Sequence, residues 1–131
     1  MENTIIIDSD ILIDFFRGKK EAVEWINNNR NKINFATTVI NVFELYTSAY
    51  KSFDQNKKIK ELEDFLNTIK ILDLTSDYAK EAARQRTNLE KSGSMIDMGD
   101  LLIASIAITN NFQLKTNNKK HFERIEGLRL V

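Results

Sequence analysis

The 131-residue chain contains no cysteine and no proline, and only 4 glycines. Without cysteine there is neither a disulfide framework nor a thiolate metal site. That suits a reducing compartment. Without proline, element boundaries must be read from caps and glycines alone. No apolar run is long enough to cross a bilayer, and no basic stretch leads into one near the start. Neither a membrane span nor a signal peptide is expected, and a cytoplasmic location is. An excess of one charge is missing too, since 19 Lys and Arg balance 19 Asp and Glu. A protein that works on nucleic-acid phosphates usually carries a basic excess. Any such contact here must come from local clusters. There is no internal repeat and no low-complexity block, so one domain over residues 1–131 is expected.

Charge is distributed in patches. Lys115, Lys119, Lys120, Arg124 and Arg129 crowd the C-terminal segment. Lys57, Lys58 and Lys60 form a second cluster, and Arg84, Arg86 and Lys91 a third. Each also fits a solvated face. The apolar pattern alternates between two kinds of element. Thr4-Ile5-Ile6-Ile7 reads as a strand buried on both faces. Helical stretches follow over Ile11–Phe16 and Lys20–Asn28, then a strand over Ile33–Ala36. Thr37 or Thr38 caps a helix whose apolar stripe is Val39, Val42, Phe43, Tyr46, Ala49 and Tyr50. A helix over Asp54–Thr68, a strand over Ile69–Leu74 and a helix from Ser76 to Gly93 come next. Leu101–Ile108 is apolar nearly all round and should be a buried helix. Gln113–Lys115 and Leu128–Leu130 are the last candidate strands. Such alternation predicts an α/β fold with a central, mainly parallel sheet of four to five strands flanked by helices.

In such sheets, ligands bind beyond the carboxyl ends of the strands. Asp8 stands there, directly after the first strand, although an aspartate in that place also caps a helix well. Glu44 lies off the centre of its helix's apolar stripe, where an exposed glutamate is ordinary. Asp100 opens the most apolar helix and either caps it or is held there for chemistry, with Asp97 three residues earlier. If the fold brings these acids together, their repulsion demands a cation or raised pKa values. All-oxygen ligation suits Mg²⁺ or Mn²⁺, the ions of phosphoryl chemistry.

Four segments, taken in order, resemble the PIN-domain nucleases, and within them the VapC-type toxins of prokaryotic toxin–antitoxin pairs. They are Ile5-Ile6-Ile7-Asp8-Ser9-Asp10-Ile11-Leu12-Ile13-Asp14; Thr38-Val39-Ile40-Asn41-Val42-Phe43-Glu44-Leu45; Gly93-Ser94-Met95-Ile96 with Asp100-Leu101-Leu102-Ile103-Ala104-Ser105-Ile106-Ala107; and Leu114 to Ile125 closed by Gly127-Leu128. Together they span essentially the whole chain. The resemblance implies that Asp8, Glu44 and Asp100 are the catalytic, metal-binding acids, with Ser9 hydrogen-bonding among them. Thr116, Asn117 and Asn118 replace an aspartate found in some members, and His121 replaces an acid found in many. Asn118 is the candidate for the fourth position, Thr116 supports it, and Asp97 is a candidate replacement ligand. His121 reads as a surface histidine rather than a general acid.

The resemblance further implies Mg²⁺- or Mn²⁺-dependent endonucleolytic hydrolysis of RNA, leaving a 5′-phosphate and a 3′-hydroxyl. Lys115, Lys119, Lys120 and Arg124 are candidates for the RNA backbone. It implies a homodimer and a cognate VapB-type antitoxin whose tail blocks a groove near the acids. Trp25, Phe43, Tyr46, Tyr50 and Phe53 either line such a surface or pack in the core. Three rival readings stand beside this one. They are an RNA-processing PIN nuclease without antitoxin, a non-catalytic RNA- or protein-binding module with a degenerate acidic site, and a phosphatase built on Asp8-Ser9-Asp10.

Overall fold

The computed structural model describes residues 3–131. Five strands form one sheet in the order β3-β2-β1-β4-β5. They are β1 Thr4–Ile7, β2 Asn34–Thr38, β3 Lys70–Leu72, β4 Gln113–Lys115 and β5 Arg129–Leu130. Every pairing is parallel. Among the described residues, seven helices flank the sheet: α1 Ser9–Phe16, α2 Lys20–Asn29, α3 Val39–Tyr50, α4 Gln55–Leu66, α5 Ser76–Lys91, α6 Met98–Asn110 and α7 Lys119–Phe122.

β1 is wholly buried because helices cover both of its faces. Ile6 packs into one core with Ala104, Leu114 and Phe122. Its neighbour Ile7 points the other way, into a second core with Leu12, Ile26, Leu45 and Phe65. The alternation follows from the two-residue period of a strand. α6 is buried along most of its length, as its all-round apolar sequence requires.

The boundaries differ from the sequence expectation in several places. β3 stops at Leu72 rather than Leu74, and α6 begins at Met98, so Asp100 lies inside its first turn. α7 is an additional short helix. The inward face of α3 is the larger correction. Asn41, Leu45 and Ala49 are its buried residues, whereas Phe43 is 72% exposed and Tyr50 57%. The apolar stripe misled because a buried asparagine occupies the core-facing row, held by hydrogen bonds that hydropathy does not register.

Successive strands run outward from β1 on one side and from β4 on the other. The reversal in strand order opens a crevice at the carboxyl ends of β1 and β4. Chain geometry feeds that crevice. α6 ends at Asn111 in a left-handed conformation, φ 59° and ψ 37°, which turns the chain straight into β4. Asparagine tolerates this better than a residue without a short polar side chain. Replacing Asn111 with alanine should therefore cost about 1 kcal/mol, while Asn111→Gly should cost nothing. Urea denaturation of both variants measures the difference, and equal losses would exclude backbone strain as the reason for this residue.

Candidate active site

Asp8 directly follows β1 and caps α1, so one residue joins both elements. Its backbone N–H donates to Lys115 O at 2.9 Å, continuing the β1–β4 ladder by one bond. Its side chain is 7% exposed and accepts three hydrogen bonds. Ser9 N donates to Oδ1 at 2.8 Å, Asn41 Nδ2 to Oδ1 at 3.0 Å, and Thr116 Oγ1 to Oδ2 at 2.7 Å. The donors come from α1, α3 and the segment after β4. The cap reading and the site reading of Asp8 therefore describe the same carboxylate.

Glu44 stands one helical turn after Asn41 on α3, half-buried. Ser9 Oγ donates to its Oε1 at 2.7 Å and accepts from Asn41 Nδ2 at 2.9 Å. Asn41 is fully buried. Its side-chain Oδ1 accepts from Thr38 N at 3.2 Å and Thr38 Oγ1 at 2.8 Å, while its backbone N–H donates to Thr38 Oγ1 at 3.2 Å. This capping box fixes the start of α3 and aims the amide at Asp8 and Ser9. Sequence reading passed over Asn41. The signal was there, a lone polar residue at the third position of a helix capped by Thr38.

Asp100, in the first turn of α6, faces the same space. His121 Nε2 lies 3.1 Å from its Oδ2. The expectation of a surface histidine is corrected here. His121 is half-buried because its neighbour Phe122 is fully buried and anchors the turn. Arg124 Nη2 stands 2.9 Å from His121 Nδ1 and 3.1 Å from Met95 O, and Arg124 Nε donates to His121 O at 3.3 Å. Arg124, named as an RNA contact, is thus exposed but has its guanidinium bonded to its own chain.

The other expected residues are spread around this group. Asp97 is the exposed N-cap residue of α6. Asn118 begins α7 with its backbone N–H donating to Thr116 Oγ1 at 3.1 Å, and its side chain makes no capping bond. Lys119 and Lys120 are exposed. Lys115 is partly buried, with Nζ 5.1 Å from the centre of the Trp25 ring. Asp10 was considered only within a phosphatase motif, yet it organises the segment after β4. Its Oδ2 accepts from Asn117 N at 3.0 Å and stands 3.3 Å from Thr116 Oγ1, while Asp14 Oδ2 accepts from Asn117 Nδ2 at 3.0 Å.

The electrostatics follow from burial. The Asp8 carboxyl is pushed up to about 7, by desolvation first and then by the charge of Asp10, with Thr116 and Ser9 opposing and Asp100 adding. Asp10 is raised chiefly by burial. Asp100 is raised by burial, with His121 opposing and the charges of Glu44 and Asp97 adding. Among the described residues no Lys or Arg pairs with Asp8, Asp10, Glu44 or Asp100. Asp10 Oδ1 is buried without a hydrogen-bond partner. Asp8, Glu44 and Asp100 offer hard oxygen donors with excess negative charge, which fits a hard divalent cation. The side chains are not closed on one point: among the described residues no three Asp, Glu or His groups already enclose an ion position.

The fold and the acid cluster define a class, and the PIN domain family matches residues 5–128. The chain belongs to this family and to its VapC group. It is 37% identical over 128 residues to ribonuclease VapC2 of Rickettsia felis, covering 94% of this chain and 92% of that one. It is 32% identical over 125 residues to ribonuclease VapC2 of Haemophilus influenzae, covering 95% and 93%. Among solved structures, VapBC2 from Rickettsia felis bound to a promoter DNA fragment superposes with a TM-score of 0.89 at 29% identity, covering 98% of this chain and 97% of that one.

The raised Asp8 value carries a sign. A carboxyl that is weaker in the folded state keeps its proton longer there than in the unfolded chain. The cation-free protein should therefore lose stability as pH climbs from about 4 to about 7. Asp8→Asn keeps an oxygen for Ser9 N and Asn41 Nδ2 and removes the charge. It should raise the cation-free Tm at about pH 8 by about 4 °C or more and flatten the decline. Thermal melts across pH test this, and an unchanged slope would exclude Asp8 as its source.

Proposed function

We propose that this chain is a VapC-type, divalent-metal-dependent endoribonuclease of a toxin–antitoxin pair. The observation that carries the reading is the buried Asp8 carboxylate, joined to Glu44 through Ser9 and Asn41 and sharing one crevice with Asp100. Asp8, Glu44 and Asp100 would hold Mg²⁺ or Mn²⁺, with Asp97 beside Asp100. Such a cation, when bound, lowers the pKa of water and neutralises charge on phosphate oxygens.

The chain's own residues do the arranging. Thr116 and Asn41 hold the two oxygens of Asp8 in place, so the carboxylate does not reorganise during reaction. Ser9 restrains Glu44 in the same way. Thr116 also accepts from Asn118 N, which ties the polar turn after β4 to the acids. Lys119 and Lys120 are exposed on that turn, where RNA phosphates would lie, and Lys115 stands nearby against Trp25. Hydrolysis adds water at phosphorus and expels the 3′ oxygen, giving a 5′-phosphate and a 3′-hydroxyl.

The partners follow the same reading. A cleft of about 290 Å³ lies between α1, α3 and α4. Ile13, Phe16, Leu45 and Leu62 supply its apolar surface, and its rim holds three cations, Arg17, Lys51 and Lys58, against one acid, Glu61. An amphipathic, acidic segment of a VapB-type antitoxin fits it. Phe43 on α3 and Met98 on α6 are both largely exposed, and the two helices meet where Gly99 faces Ile40. This patch supports a homodimer. Among the described residues no helix is long and apolar enough to cross a membrane.

Incubation of antitoxin-free protein with total cellular RNA and Mn²⁺ should yield discrete fragments with 5′-phosphate ends. EDTA or Asp8→Asn should abolish them. Cleavage that survives in the folded, nuclease-free mutant would refute the assignment, and no cleavage from wild type under any divalent ion would favour a binding module. Light scattering at micromolar concentration should give the dimer mass, and Phe43→Asp should shift it toward monomer. A wild-type monomer would count against the dimer.

A further inference from the structure

His121 and Arg124 stand at the acidic crevice, bonded in series to Asp100. The geometry around them is restrictive. A guanidinium has donors only. Arg124 Nη2 lies 2.9 Å from His121 Nδ1, so that nitrogen must accept and the ring proton belongs on Nε2. Nε2 in turn lies 3.1 Å from Asp100 Oδ2 and donates to it. Arg124 is itself held, because the same Nη2 reaches Met95 O at 3.1 Å and Nε reaches His121 O at 3.3 Å. The backbone of the turn is set by Phe122, which is fully buried. A chain of bonds therefore runs from the segment before α6, through Arg124 and the imidazole, back to the first turn of α6.

We propose that His121 is a positioning residue for Asp100, its tautomer set by Arg124, and that the pair aims the carboxylate into the crevice. The bond to Nε2 occupies Oδ2 and leaves Oδ1 for the cation. In this tautomer Nε2 has no lone pair to offer, so His121 does not itself ligate. Arg124 acts one step further away, by holding the ring's orientation. The proposal rests on the reading of Asp100 as a carboxylate of a divalent-cation centre.

Two measurements on the full chain separate the possibilities. Imidazole ¹⁵N NMR of the wild type should show the Nε2–H form, and Arg124→Met should turn it into a mixture of tautomers. Mn²⁺ binding, followed by the electron paramagnetic resonance of the free ion, should weaken about tenfold to a hundredfold in His121→Ala. Arg124→Met should weaken it in the same direction. His121→Gln, which retains a donor at the end of a similar reach, should restore most of the affinity. A His121→Ala protein that binds Mn²⁺ as wild type does would overturn the proposal. So would a wild-type ring protonated on Nδ1. A folded His121→Gln protein as defective as His121→Ala would overturn it too, by making the imidazole a ligand. If wild type binds no Mn²⁺, the nuclease reading fails. The positioning contact is then decided by thermal unfolding of His121→Ala, Asp100→Asn and the double variant. Coupling between the two sites supports it, and additive losses reject it.

Discussion

A carboxylate buried at the end of a central parallel strand keeps its charge only where donors or a cation replace the water it has lost. Asp8 is in that position, and the arrangement around it follows from the need. Its three donors come from α1, from α3 and from the segment after β4. Each brings a different part of the chain to one point. The sheet order makes this possible, because β4 is the direct neighbour of β1 although more than a hundred residues separate Thr116 from Asp8. Donors lower the cost of the charge without removing it, since Asp10 and Asp100 press on the same carboxyl. The remaining imbalance is what a divalent cation would relieve.

Asn41 shows how the polar network and the core coexist. An unbonded amide in that place would be costly. Here both its donors and its acceptor are used, by Asp8, Ser9 and Thr38. The satisfied amide then does what an apolar residue could not, since it ties the cap of α3 to two acids. The cost appears on the opposite side of the helix. Turning Asn41, Leu45 and Ala49 inward leaves Phe43 and Tyr50 outside.

Much of the site was legible from local pattern. The run Thr4–Ile7 read as a doubly covered strand, which put the aspartate after it at a carboxyl end. Leu101–Ile108 had to be buried, which made Asp100 unusual. Glu44 was not legible from its helix, because a half-buried glutamate and an exposed one have the same neighbours in sequence. Its link to Ser9 spans 35 positions. Asp10 was visible as a residue, but its grip on Asn117 crosses the whole fold. His121 was misjudged because the burial of Phe122, which turns the imidazole toward Asp100, is a property of the assembled core.

The sequence by itself determined the class of fold and the alternation of strands and helices, because periodicity, caps and buried runs are local physics. The family resemblance, carried by the order of four short blocks, singled out Asp8, Glu44 and Asp100 and the chemistry proposed for them. The tertiary structure decided which polar groups meet. It placed Asn41 and Thr116 on Asp8, Ser9 between Asp8 and Glu44, and His121 on Asp100. Hydrogen bonds act over about 3 Å, and only the packing of distant segments around β1 brings their partners within that reach.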